Sequence, residues 1–398
     1  MNLTTKILMG LILGVIAGLG LGAPGVGFAK LWIAPFGTIF MNMIKMIIVP
    51  LVFSSLVLGV CGLGDVKKIG RVGGKTVMYY LGTTAFAIVL GLILGTIMQP
   101  GAGVNMPGAD IKTAAKAAPP LMQVIVGIFP TNVMDAMLKA NMLQIIVFSL
   151  FVGMGIVSVG DRAKTLLNFF DGLAEVCYKI VGYIMAFAPI GVFGLIAPVV
   201  AANGPSVLLP LLKVIIAVYL GCFLHAVLVY GSLLTAVGKI SPMKFFRAIM
   251  PAQLVSFTSC SSSGTLPVSM KCVQELGVSK DVSSFVLPLG ATINMDGTAL
   301  YQGVCALFIA QIYGVDLTMG QYITIIITGT LASIGTAGVP GAGFIMLTMI
   351  LTAIGLPLEG SALIAGIDRV LDMPRTCVNI TGDCTVAYLV DKSEKDRV

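Results

Sequence analysis

Apolar runs long enough to cross a bilayer recur from the first line of this sequence to the last. A span needs on the order of 20 such residues. Lipid cannot hydrogen-bond a backbone, so continuous apolar runs of that length must be helices. Of 398 residues, 57% are hydrophobic and 10% charged, against roughly 25% charged in soluble domains. The chain reads as an all-α polytopic membrane protein whose core is its embedded bundle.

The net charge of +7 does not indicate nucleic acid, because the basic residues sit in short clusters beside apolar runs. Lys67, Lys68, Arg71 and Lys75 form one cluster, Arg162 and Lys164 a second, and Lys239, Lys244 and Arg247 a third. The segment 100–120 carries only Lys112 and Lys116. By the positive-inside rule the clusters are cytoplasmic, which puts both termini in the cytoplasm of a multi-pass protein of the inner (plasma) membrane. The first 22 residues look superficially like a signal peptide but read as a retained first span. The cysteines sit mostly inside apolar runs without C-x-x-C spacing, so they read as small buried hydrophobes rather than a disulfide frame or zinc site.

Six ordinary spans are expected at about 5–23, 33–62, 75–98, 120–160, 166–200 and 206–236, the fourth broken by "FPTNVMDAMLKANMLQ". After Pro242 the texture changes. Polar, Gly- and Pro-rich patches interrupt the apolar runs: "SFTSCSSSGTLP" (256–267), "GATINMDGTALY" (290–301), "SIGTAGVPGAG" (333–343) and "GIDRVLDMPRTCVNITGD" (366–383). Irregular backbone at membrane depth survives only where protein buries it or water reaches it. The first and third patches read as tips of re-entrant hairpins, the second and fourth as interruptions of longer spans. Hairpin then broken span, twice over, is an internal repeat, and paired interrupted segments point to a midplane substrate site.

Drawn as a helix, the last patch aligns Asp368, Asp372, Arg375, Asn379 and Asp383 on one face, with Arg369 roughly 100° away. Ionisable residues at membrane depth mark ion or substrate pathways, although Asp368 or Asp372 could simply pair an arginine. An arginine fork suits a carboxylate, and Asp372 would suit an ammonium. Together they describe an amino acid with an acidic side chain. Asn294, Asp296, Asn379, Asp383 and the carbonyls beside Gly290 and Gly382 offer hard oxygen ligands, which suit sodium and not a transition metal. The single histidine, His225, reads as packing or an interhelical hydrogen bond, with no partner pattern for proteolysis. The match of Gly20, Gly22 and Gly25 to G-x-G-x-x-G lacks the strand a nucleotide site requires.

"SSSGTLP", "GATINMDGTALYQG", "SIGTAGVPGAG" and "DMPRTCVNITGD", with "MIKMIIVPLVFSSLVLG" near the start, strongly resemble the glutamate transporter family of dicarboxylate/amino acid:cation symporters. The resemblance implies eight transmembrane helices and two re-entrant helical hairpins with inverted repeats, assembled as a homotrimer with an elevator motion. Residues 1–62 would hold spans 1 and 2, the second a scaffold element. Residues 63–99 would hold span 3 of the transport domain, and 100–236 spans 4 and 5 of the scaffold with span 6 of the transport domain. Residues 237–398 would form the transport core: hairpin 1, span 7, hairpin 2 and span 8.

Carried over by position, the substrate would meet Ser261 and Ser262 at the first tip, Thr298 on span 7, and Gly338 and Val339 at the second tip. Asp372 would take its amino group, Arg375 its side-chain carboxylate, and Thr376 and Asn379 the rest. One sodium site would use Gly290, Asn294, Asn379 and Asp383. Another would use Thr292, Ser333 and Thr336. A deeper one would use Tyr80, Thr83, Thr84, Asn294 and Asp296. Sodium is the coupling ion so implied, with no organic cofactor; the alternatives are a proton-coupled relative and a C4-dicarboxylate carrier. Cys260 stands where relatives can carry arginine, and Arg369 could compensate from across the site. Pro374 is expected to perturb the helix ladder ahead of Arg375.

Overall fold

The computed structural model describes residues 3–62, 66–103, 126–127, 129–139, 141–204, 208–334, 336, 338 and 341–395. Most of the segment expected to enter the fourth span, and Val339 of the second tip, lie outside them. All regular structure among the described residues is helical.

Helix α1 (Leu3–Phe28) leaves helical geometry at Gly22, at φ 53°, just before Pro24. It continues through a π-helical turn (Ala29–Ile33) into α2 (Ala34–Gly62). Then follow α3 (Val66–Met98), short α4 (Val133–Leu138), α5 (Met142–Val159) and α6 (Lys164–Asn203). Asn132 caps α4 and Asn141 caps α5 with their side chains, so the expected break in the fourth span is a pair of capped helix starts. The α5–α6 arm bends by 50° at about residue 185, one turn before Pro189, whose missing N–H would have bonded there. Helix α7 (Leu208–His225) runs through a second π-helical turn (Ala226–Tyr230) into α8 (Gly231–Ala236). Among the described residues, three helical stretches are long and apolar enough to cross a membrane, Thr5–Phe40, Val72–Met98 and Leu208–Ala236, or four if the bent α5–α6 arm counts as one.

The later half consists of shorter helices: α9 (Pro242–Ser259), α10 (Ser262–Glu275), α11 (Lys280–Ile293), α12 (Asp296–Ile312), α13 (Met319–Ser333), α14 (Ala342–Ile354) and the long α15 (Ser361–Lys395). The first, second and fourth polar patches unwind less than their composition suggests. At the first tip only Cys260 and Ser261 leave the helix, Cys260 in the left-handed region at φ 54°. Span 7 breaks only at Asn294 and Met295. The fourth patch does not break at all: α15 runs continuously through Pro374, so the expected interruption of the last span is corrected to an unbroken helix. Its physical reason is a replacement donor. Pro374 offers no N–H to the Val370 carbonyl, and the Tyr219 hydroxyl donates to that carbonyl at 3.1 Å.

Helix α13 starts as its sequence dictates, with Thr318 and Gln321 forming a reciprocal capping box. Helices α12 and α14 are buried almost throughout, as apolar residues on all faces require. Close approach comes from small residues: an added methyl at Gly303 of α12 would sit 2.7 Å from the Ile88 carbonyl of α3. Helices α1 and α2 pack along α6, and α5 packs on α2. Helices α3, α7 and α9–α14 gather around α15 and α12. Large apolar side chains such as Ile97, Leu209 and Phe223 face outward while Arg375 and Asp296 are fully buried, the polarity expected of a bundle solvated by lipid.

Candidate functional site

The polar stripe of α15 faces inward as its spacing requires. Asp368, Asp372, Arg375, Asn379 and Asp383 are all buried. Arg375 Nη1 donates to Asp368 Oδ1 at 3.0 Å, Nη2 lies 3.0 Å from Asp372 Oδ1, and the guanidinium stacks 3.9 Å over the Tyr301 ring of α12. Arg375 is therefore ion-paired with both Asp368 and Asp372. Three atoms around this pair are buried without a hydrogen-bond partner: Arg375 Nε, Arg375 Nη2 and Asp372 Oδ2. An orphaned buried charge-bearing atom is costly; Asp372 borders a cavity, and the Arg375 guanidinium packs behind Gly343, which also lines it. Ser262 of α10, Thr298 and Met295 of the α12 start, Gly338 of the second tip, and Thr376 and Asn379 of α15 also line it.

The two tips meet at this cavity. Ser261 accepts from Gly264 N at 3.0 Å, capping α10, and donates to the Gly338 carbonyl at 2.8 Å; Ser263 N reaches the same carbonyl at 3.3 Å. Ser261 thus joins tip to tip, and Ser262 lines the cavity. Arg369 points away from the stripe and donates from Nη2 to the Ser259 carbonyl at 3.2 Å, so it reaches the first tip. Cys260 also lines the cavity.

Beneath the cavity lie two oxygen-rich groups. In the first, Asn294 Nδ2 donates to Asp383 Oδ1 at 2.8 Å and to the Asn379 carbonyl at 3.1 Å, leaving Asn294 Oδ1 buried and unpartnered. Tyr80 reaches this group, not the deeper one: its hydroxyl donates to the Val286 carbonyl at 3.0 Å, and an added methyl on Gly290 would collide with both Tyr80 OH and Asp383 Oδ1. Asn379 Oδ1 accepts from Gly297 N at 2.8 Å, which ties the start of α12 to α15.

The second group centres on Asp296. Thr84 donates to Oδ1 at 2.5 Å, Tyr230 to Oδ2 at 2.6 Å, and His225 Nε2 lies 3.1 Å from Oδ2. Thr83 donates instead to the Tyr80 carbonyl at 3.2 Å. His225 does make the interhelical bond expected of it. Tyr230 was not foreseen, because nothing in its local pattern marks it.

The hydroxyls of the remaining set bond to their own helices: Thr292 to Leu289 O, Ser333 to Thr330 O and Thr336 to Ala332 O. Thr292 is exposed, whereas Ser333 and Thr336 are buried. A cation beside them would meet carbonyl oxygens and hydroxyl lone pairs. Among the described residues no three His, Cys, Asp or Glu side chains converge as a metal site. The orphaned Asn294 oxygen with Asp383 and backbone carbonyls suits a monovalent hard cation.

A family model described as the sodium:dicarboxylate symporter family matches residues 3–393. The chain is 39% identical to a proton/sodium-glutamate symport protein of Geobacillus stearothermophilus, over 99% of this chain and 94% of that one. It is 37% identical to a proton/glutamate-aspartate symporter of Escherichia coli, over 99% and 93%. It is also 37% identical to a C4-dicarboxylate transport protein of Bacillus subtilis, over 99% and 94%.

Proposed function

The chain belongs to the sodium:dicarboxylate symporter family and is a symporter, and from that premise we propose that it carries aspartate or glutamate across the cell membrane together with sodium. One observation carries the substrate reading: Asp372 Oδ2, a buried acceptor left without a hydrogen bond, borders a buried cavity, and the Arg375 guanidinium, whose Nε is likewise unpartnered, lies directly behind Gly343 of its lining. The nitrogens offer a fork to a side-chain carboxylate, and the oxygen takes an ammonium. Ser262, Thr298, Gly338, Thr376 and Asn379 complete the lining, with Val339 adjacent in sequence. A C4-dicarboxylate would leave Asp372 facing an anion with no ammonium to offset it.

Sodium is favoured over a proton because the residues beneath the cavity offer many oxygens. Gly290, Asn294, Asn379 and Asp383 make one site and Asp296 with Thr83 and Thr84 a deeper one, with Tyr80 nearer the first. Thr292, Ser333 and Thr336 make a third under the second tip. Sodium would offset Asp383 and Asp296, carboxylates otherwise costly at membrane depth. Ser261 on the Gly338 carbonyl would act as the latch between the tips. Two re-entrant hairpins in an eight-span chain, α2, α4, α5 and α6 as the trimer scaffold, and the rest moving as an elevator with both termini cytoplasmic complete the proposal. Helix α1 packs chiefly on α6 and so lies along that scaffold.

Uptake of labelled aspartate, glutamate, serine and succinate into proteoliposomes under an imposed sodium or proton gradient tests it. Accumulation of aspartate or glutamate driven by sodium is expected. Succinate as the preferred substrate, or acidic amino acid uptake indifferent to sodium, would replace it with one of the two alternatives.

A further inference from the structure

We infer that His225 and Tyr230, set on one face by the π-helical turn between them, are positioning residues that orient the Asp296 carboxylate and so govern how tightly this chain holds its deep sodium ion. The inference rests on the reading of Asp296 as a sodium ligand.

The local winding is what makes the pair. At about 100° per residue, side chains five positions apart in an α-helix point about 140° from each other. Here Gly231 N–H bonds to the Ala226 carbonyl, an i to i−5 closure, and that wider turn brings residues five apart back to one side. The His225 and Tyr230 rings meet edge to face, centroids 4.8 Å apart at 88°, and both address Asp296 Oδ2. A carboxylate only accepts, so His225 carries its hydrogen on Nε2; Nδ1 is buried without a partner.

With Thr84 on Oδ1, three donors from α3, the end of α7 and the π-helical turn fix the plane of one carboxylate. His225, Tyr230, Thr84 and Asp296 are all fully buried, so no solvent competes for it. Tyr230 OH also lies 3.4 Å from the Val378 carbonyl of α15, which links the clamp to the helix that carries Arg375 and Asp383. Outer partners that orient a ligating carboxylate typically contribute about 10–100-fold to metal affinity. A π-helical turn kept only for packing would have no need to aim two donors at one oxygen.

The test uses purified full-length His225→Leu, His225→Gln and Tyr230→Phe beside the wild type. Sodium is titrated with two readouts: the sodium-dependent rise in melting temperature of the substrate-free protein in detergent, and sodium-driven aspartate uptake in proteoliposomes. His225→Leu and Tyr230→Phe should raise half-saturating sodium about tenfold in both, and by more than they lower maximal uptake. His225→Gln, which keeps an N–H donor of similar reach, should recover most of that shift. Half-saturating sodium unchanged in Tyr230→Phe and His225→Leu, or lost maximal uptake at unchanged half-saturation, overturns the positioning role while leaving the sodium reading intact. A wild type whose melting and uptake both ignore sodium overturns the sodium reading and the inference with it.

Discussion

The Tyr219 hydroxyl donates at 3.1 Å to the Val370 carbonyl, the acceptor that Pro374 leaves without its helical N–H. This bond lets α15 pass through a proline one residue before Arg375 with no break. Tyr219→Phe removes the donor and nothing else. The half-buried carbonyl should cost about 1 kcal/mol, visible as a melting temperature in detergent lowered by a few degrees. A kink released at Val370 should also shift Arg375 relative to Asp372, weakening aspartate affinity several-fold. Unchanged melting and affinity would mean that helix continuity does not depend on Tyr219.

The relation between Asp372 and Arg375 gives opposite substrate signatures. Arg375→Ala removes the fork for the side-chain carboxylate, so aspartate affinity should fall by at least about 30-fold, the usual consequence of truncating one partner of a buried charge pair. Neutral amino acids, which lack that carboxylate, should compete relatively better. Asp372→Asn removes the ammonium partner and should weaken acidic and neutral amino acids alike. Competition uptake with unlabelled serine and succinate separates the two, and identical profiles for both variants would break the assignment.

Much of this site was legible in the sequence because it lies on one element with a plain helical period. The stripe from Asp368 to Asp383 turned inward as a unit, and Arg369 turned away from it to Ser259. The interruptions at Cys260–Ser261 and Asn294–Met295 fell where small polar residues gather. What escaped depended on winding or on distant donors. A period of 3.6 cannot pair His225 with Tyr230, since only the wider turn aligns them. The break expected at Pro374 was repaired by Tyr219, 151 positions in sequence from the Val370 carbonyl it bonds, and no local pattern contains that information. Asp368 joins Asp372 as a partner of Arg375 at the same 3.0 Å because seven residues close to two full helical turns, an option that periodicity left open.

Gly290 is held glycine by its neighbours. An added methyl would collide with Tyr80 OH and Asp383 Oδ1, so Gly290→Ala must displace one of the two oxygens. Overpacking of this kind costs about 1–3 kcal/mol, and half-saturating sodium should rise by about tenfold. Gly82→Ala on α3, where the methyl meets open space, is the control and should leave sodium dependence unchanged. Sodium-driven uptake for the two variants checks the difference, and an unaffected Gly290→Ala would remove this group from the sodium path.

The end of α15 is tied down by charge. Asp391 accepts from the Ser279 hydroxyl at 2.6 Å and the Ser279 amide at 3.0 Å, and pairs with Lys395 at 2.7 Å, while Lys75 pairs with Glu394 at 2.7 Å. Burial alone would raise the Asp391 pKa, but the Lys395 and Ser279 hydrogen bonds outweigh it and hold the carboxyl below the usual carboxylate range. A group depressed on folding binds fewer protons folded than unfolded, so its stabilisation is full above the unfolded value of about 3.9. That contribution is lost as pH falls through the lower folded value. Asp391→Asn should therefore melt below the wild type at pH 7, and the gap should close as pH falls below about 4. Melting curves in detergent across that range check it: a gap that stays constant would assign the Asp391 effect to shape and not to charge.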